Sequence, residues 1–317
     1  MALSLLYTDY PLALDADTAQ GGTAVYVNGT TTINPQLTTA VQASDGSVYN
    51  TMAFLQSGEP VASFSSADLK AFLDECGVTG MLIDSGDDGD GVIVYYQKYA
   101  AGGTRASGSV QHSTTIGDGL LVPRSISLPH RGIATLTAEV QAISSNGVLN
   151  PLTFAETAAL PAATYPAVDA TYTLGMVDLN STQIQGVINV SIDFGIQIIR
   201  ESSDSDVYPT IVSIQMIQPS ITVTTRHLSD TTTLTEAGVE YAASLVEVYA
   251  RKRDEGGTFV ADGTAEHIKF AMGKCRVDPV AISGGGSGTL QFRITPWYTS
   301  GGSAVTPITI NTAIAIT

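Results

Sequence analysis

The sequence predicts a mainly β protein built as two tandem, similar domains, each a β-sandwich or partly open barrel with one short helix. Three observations carry that expectation. Many stretches alternate apolar and polar residues with period two, as half-buried antiparallel strands do. Turn dipeptides separate them: Asn28-Gly29, Asp45-Gly46, Gly102-Gly103 and Asn146-Gly147. And the second half repeats the first in order. Asp45, Val48, Tyr49 and Thr51, then Gln56 and Pro60, return as Asp204, Val207, Tyr208 and Thr210, then Gln215 and Pro219, with the same internal spacing. Val94 to Thr104 matches Val248 to Thr258, sharing Tyr95 with Tyr249, Lys98 with Lys252 and Gly-Gly-Thr at the end. Gly108 and His112 match Gly263 and His267; Pro123, Ile126 and Ser127 match Pro279, Ile282 and Ser283.

The strand candidates in chain order are Val92–Tyr99, Ile133–Ala142, Gly186–Phe194, Ile211–Ile217, Ile221–Thr225 and Gly288–Thr295, all rich in β-branched or aromatic residues. One helix stands out. Ser65 is placed to cap it, Asp68 follows three residues on, and Leu69, Phe72, Leu73 and Cys76 fall at i, i+3, i+4 and i+7 before Gly77. Leu228–Ala237, ending at Gly238, occupies the same slot in the second half, with a helical signal weakened by Thr231–Thr233. Pro151 to Pro166, with three prolines and many small residues, reads as an extended connector. The expected organisation is domain 1 over 1–157, a connector over 158–169 and domain 2 over 170–317, each domain with its own core.

Only 14% of the 317 residues are charged, yet 30 acids against 14 bases leave a formal charge of −16. Ser, Thr, Asn and Gln must cover most of the surface. That balance argues against a basic grip on nucleic acid and against an anionic membrane partner. Cys76 and Cys275 occupy unmatched repeat positions and form no CxxC, so a disulfide scaffold is not expected, and a reducing cytoplasm is. No apolar run approaches the ~18 residues needed to span a bilayer, and the N-terminus lacks a signal-peptide pattern. The expectation is a soluble protein with no membrane partner.

No catalytic, cofactor-binding or metal-ligating residue emerges. His112 and His267 are repeat equivalents with no nucleophile or metal spacing nearby, and His130 and His227 are isolated; all four are expected as satisfied surface or interface residues. Asp84 to Asp90 clusters acids, but without the alternation of a calcium loop, and reads as an acidic hairpin tip. Gly284–Gly288 precedes a strand and no Lys-Ser or Lys-Thr, so it is not a phosphate loop. Arg251-Lys252-Arg253 is the one basic cluster, and Asp254-Glu255 behind it points to a salt-bridged subunit contact.

An N-terminal strand region, a strand ending in Pro60, a capped helix at Ser65–Gly77, a long hairpin around Val92–Thr114 and a closing strand at Ile133–Ala142 together resemble the tail tube proteins of tailed bacteriophages. The resemblance extends over each half in turn. It implies a structural virion protein, not an enzyme and without cofactors: a duplicated major tail tube subunit of a long, non-contractile tail, assembled in the bacterial host cytoplasm. By that likeness three chains close a pseudo-hexameric ring, rings stack into a tube with other tail proteins, and DNA passes without specific binding. Six domains lending about four strands each give ~24 strands, a wall about 48 Å across and a channel on the order of 38 Å. The Gly-rich segments Ala100–Ser109 and Glu255–Gly263 are the expected contacts between neighbours. Alternative readings are another virion component, such as a capsid decoration or minor tail protein, or a carbohydrate-binding β-sandwich adhesin. The adhesin would show grouped aromatics, where this chain has one Trp, Trp297, and 13 scattered tyrosines.

Overall fold

The computed structural model describes residues 7–14, 23–25, 31–43, 48–84, 91–98, 111–158, 170–227, 238–254, 256–284, 288–300 and 305–316. The first half runs β1 (Tyr7–Leu14), β2 (Thr23–Val25), β3 (Thr32–Asn34), β4 (Leu37–Gln42), β5 (Met52–Gly58), β6 (Val61–Ser66), α1 (Leu69–Cys76), β7 (Met81–Asp84), β8 (Val92–Lys98), β9 (Gln111–Ile116), β10 (Asp118–Pro129), β11 (Thr135–Ala142) and β12 (Leu152–Ala158). The second runs β13 (Ala170–Leu179), β14 (Val187–Asp193), β15 (Ile196–Glu201), β16 (Ile211–Ile217), β17 (Ser220–Thr225), β18 (Val239–Tyr241), β19 (Val246–Asp254), β20 (His267–Met272), β21 (Lys274–Ser283), β22 (Thr289–Trp297) and β23 (Ile308–Ile314).

Period-two patterning decides which side chains face inward. Along β6 every second residue is buried, and β17 repeats that pattern. Ala62 and Phe64, Leu136, Ala138 and Val140, Val190 and Ile192, Ile221 and Val223, and Leu290, Phe292 and Ile294 form one apolar face. Their strands lie in a single ten-stranded antiparallel sheet, ordered β18-β21-β22-β17-β14-β10-β11-β6-β3, with β7 also paired to β10. Two smaller sheets, β12-β9-β8-β1-β2 and β13-β19-β20-β23, add buried residues such as Val94, Ile116, Val248 and Phe270 to the same core. The fold is mainly β, with one short helix among the described residues.

Strand order in the two halves is the same. β3-β6-β11-β10 is matched by β14-β17-β22-β21, and β12-β9-β8-β1 by β23-β20-β19-β13. Bulges coincide as well: β4–β5 slips between Thr38 and Thr39, and β15–β16 between Gln197 and Ile198. β10–β11 skips the residue after Pro123, and β21–β22 the residue after Pro279. A bulge bends its strand and sharpens the local twist, so matched bulges give the halves matched curvature.

Three sequence expectations are corrected. The buried residues form one continuous cluster spanning both halves instead of two separate cores, because the large sheet passes from one half into the other. Ser65 does not cap the helix: it continues β6, opposite Thr137. Asp68 stands at the N-cap without a side-chain cap bond, its own N–H donating to Ser66 Oγ at 2.9 Å. The segment after Pro151 is not only a connector, since Leu152–Ala158 pairs antiparallel with β9. The second-half helix candidate Leu228–Ala237 and most of the connector 158–169 lie outside the described residues.

The helical stripe is as expected. Leu69, Phe72, Leu73 and Cys76 are all buried, and Gly77 closes the helix at φ +58° with its N–H bonded to Leu73 O at 3.0 Å. Phe72 meets Phe64 edge-on at 5.9 Å between ring centroids. Phe72→Ala is therefore expected to cost about 3–5 kcal/mol of unfolding free energy in urea titrations; a loss under ~1 kcal/mol would contradict this packing.

Candidate functional site

An antiparallel strand with an open side presents unpaired N–H and C=O groups that template further pairing. The structure uses this inside the chain. One edge of β10 is filled first by β7, over Asp118–Leu121, and then by β14, which pairs Ser125 with Asp193 through Pro129 with Asn189. That second pairing is the joint between the halves. It buries Ile126 and Leu128 completely against Val190 and Ile192.

The hairpin β15–β16 reinforces the joint. It extends from the second half across the first, and its partly buried Ile198, Val212 and Ile214 pack on the core. Its connecting loop carries the repeated Val-Tyr motif and seats it on first-half backbone. Val207 and Tyr208 donate N–H bonds to Gly147 O at 2.8 and 3.0 Å, Gly58 N–H donates to Val207 O at 2.8 Å, and Ser144 N–H to Pro209 O at 2.8 Å. The Tyr208 ring lies on Gly58, where an added Cβ would come within 2.5 Å of it. Polar clasps flank the seat. Arg200 pairs with Glu59 at 2.6 Å, and Arg124 pairs with Glu139 at 2.8 Å while also donating to Ile196 O. Phe194 N–H donates to Arg124 O at 3.0 Å.

The corresponding elements at the two ends of the chain are exposed. On β21, β18 pairs with Cys275–Val277, but among the described residues no strand pairs with that edge beyond, and Ile282, the counterpart of Ile126, is 64% exposed. β3, the counterpart of β14, pairs only with β6 among the described strands. The β4–β5 hairpin stands as a two-stranded sheet with Leu37, Val41, Met52 and Phe54 exposed. Tyr208 is 6% exposed, whereas its repeat equivalent Tyr49 is 78% exposed and the preceding Val48 is 94% exposed. Apolar exposure is thus grouped on this hairpin and the loop that joins its strands.

The chain matches no known family model and no curated protein.

The residues singled out in the sequence do not converge. His267 is fully buried, a correction to its expected surface or interface place. Its Nδ1 accepts the Lys252 N–H at 3.1 Å, so Nε2 carries the hydrogen and donates to Ala261 O at 3.1 Å. It is a structural histidine that ties β20 to β19. His112 lies half-buried in a shallow cavity with Tyr96 and Phe154, His130 lines a separate cavity with Thr173, Gln183 and Arg251, and His227 lies beside Gly186. The Arg251–Arg253 cluster makes contacts within its own chain. Arg251 pairs with Asp262 at 2.9 Å, Lys252 with Glu266 at 2.6 Å, and both guanidinium groups stack on Phe259 at 4.6 and 4.3 Å. Those contacts fold residues 256–263 back on β19; Ala100–Ser109 and residues 85–90 of the acidic run lie outside the described residues. Among the described residues no three His, Cys, Asp or Glu side chains gather as a metal site would require.

Burial pushes the Cys275 thiol up to about 12 and the Cys76 thiol further still. Neither is expected to react with Ellman's reagent at pH 8 until the protein unfolds, and both should react then. Fast labelling of the native protein would contradict the packing. The joint makes a sharper forecast: Ile126→Ala should cost about 2–5 kcal/mol in the monomer, while Ile282→Ala should stay within about 0.5. Equal losses, read by urea unfolding of both variants at low protein concentration, would contradict the contrast in burial.

Proposed function

We propose that this chain is a self-assembling structural protein, the major tail tube subunit of a tailed bacteriophage with a long, non-contractile tail. It builds part of the virion, assembles in the host cytoplasm and performs no catalysis. The halves are products of a tandem duplication, which the common strand order and coincident bulges support. The single observation that carries the reading is the joint itself: one half continues the sheet of the other through β10 and β14, and among the described residues the same edges stand open at both ends. Copies joined that way form a closed ring or an open filament.

The large sheet contributes β3, β6, β11, β10, β14, β17, β22 and β21 along its path, so three chains supply the roughly 24 strands of a pseudo-hexameric wall. A sheet shared by both halves favours placing both in the wall over hanging the second outside it. The face turned away from the core suits a conduit. Ser63, Ser125, Ser127, Thr137, Ser191, Thr222, Thr224, Gln291 and Thr295 lie on it, with exposed Asp193 and Arg293 and the pairs Arg124–Glu139 and Arg276–Asp278 at 2.8 Å. A face dominated by hydroxyls, with most of its cations paired to carboxylates, gives phosphates little to hold, which lets DNA pass.

Negative-stain electron microscopy of the purified protein at rising concentration, with mass measurement of the smallest closed species, tests the reading. Rings or tubes built from three chains are expected. Six-chain rings would move the second half outside the wall. A persistent monomer, even with salt added to screen the −16 charge, would overturn it.

A further inference from the structure

We infer that the first half offers a second copy of this chain the same elements by which the second half grips the first, in a register that the structure specifies. The inference rests on the self-association proposed above but not on the tube or its cargo. The correspondences come from strand pairing. Ile192 lies opposite Ile221 and Ile33 opposite Ala62, so Ile33 stands to β6 as Ile192 stands to β17. Pro123 lies opposite Ala138 and Pro279 opposite Phe292, with the same skipped residue after each, so Ile282 stands where Ile126 does. Carrying the Ser125–Asp193, Ile126–Ile192 and Ser127–Ser191 pairs across places Ala281 of one copy opposite Asn34 of the next, Ile282 opposite Ile33, and Ser283 opposite Thr32.

The hairpin follows the strand. Lying on the neighbour's second half as β15–β16 lies on the first, β4–β5 brings Val48 and Tyr49 to the root of the neighbour's β15–β16. In the first half the equivalent root is Gly58, under Tyr208. In the second half it is Ile217, and there the surface opens into a cavity of about 310 Å³ lined by Ile217, Pro219, Tyr298, Pro307 and Ile308. An apolar socket on one end and an exposed Val-Tyr tip on the other are complementary, and burying both removes the largest apolar exposure on the hairpin.

The new joint is not an identical copy of the old one. Val280 takes the place of Arg124, Val41 that of Arg200, Gln218 that of Glu59, and Pro35, which has no N–H, that of Phe194. Arg293 stands where Glu139 does, so neither ion pair of the joint inside the chain recurs at the joint between chains. Salt should strengthen association by screening net charge, without breaking the seam.

The test uses the full-length Thr32→Cys/Ser283→Cys variant, oxidised after assembly and analysed without reductant; native Cys76 and Cys275 are buried and stay silent. A covalent ladder of chains is expected from the double variant, none from either single variant, and only dimers from the two singles mixed. Tyr49→Asp, at an exposed position, should weaken association at least tenfold with an unchanged thermal midpoint. Assemblies that form without this disulfide and tolerate Tyr49→Asp would overturn the inference and leave the tube reading standing. Head-to-tail disulfides in species that never become rings or tubes would support the inference and overturn the tube. Absence of association at every concentration would overturn both.

Discussion

The pairing of Ser125–Pro129 with Asn189–Asp193 is the constraint on which the molecule's organisation depends. Backbone groups along that stretch of β10 need partners, and the second half supplies them from its own first strand in the large sheet. Ile126 and Leu128 then become core residues instead of surface ones, and the apolar cluster runs unbroken from Phe72 to Phe292. Everything placed near the joint follows from it: the hairpin laid over β10, the Tyr208 seat on Gly58, and the carboxylate–guanidinium clasps at its rim.

Local pattern was legible in the sequence. Ile211–Ile217 forms a strand over those same residues, and the helical stripe from Leu69 to Cys76 is buried on every member. Errors arose where a local signal competed with a distant partner. Ser65 has the chemistry of a cap, but pairing with β11 holds it in a strand for longer than the capping pattern allows. Pro151 and the small residues after it read as linker, but the free edge of β9 recruits Leu152–Ala158 as a strand. Long-range pairing of that kind leaves no periodic mark.

The candidate surface was half legible. Repetition identified the Val-Tyr motif as the clearest shared feature of the halves, and it lies at the hairpin tips. Sequence could not show that one tip is buried and the other exposed, because the two motifs read alike; the difference comes from what each finds beside it. Of the two Gly-rich segments only residues 256–263 are described, and Phe259 and Asp262 hold them on their own strand. Composition signalled a loop there without revealing its partner.

Joining two halves through one chain also changes the kinetics of building anything from them. A tethered pair meets at an effective concentration set by its connector, on the order of millimolar for a short one, whatever the protein concentration. The seam between β10 and β14 therefore closes during folding, and only the seams between chains wait for diffusion. A ring of six units made this way needs two encounters and one closure, where separate units would need five encounters and one closure. Its nucleation depends on a lower power of concentration, and the order of units around it is decided before any two molecules meet.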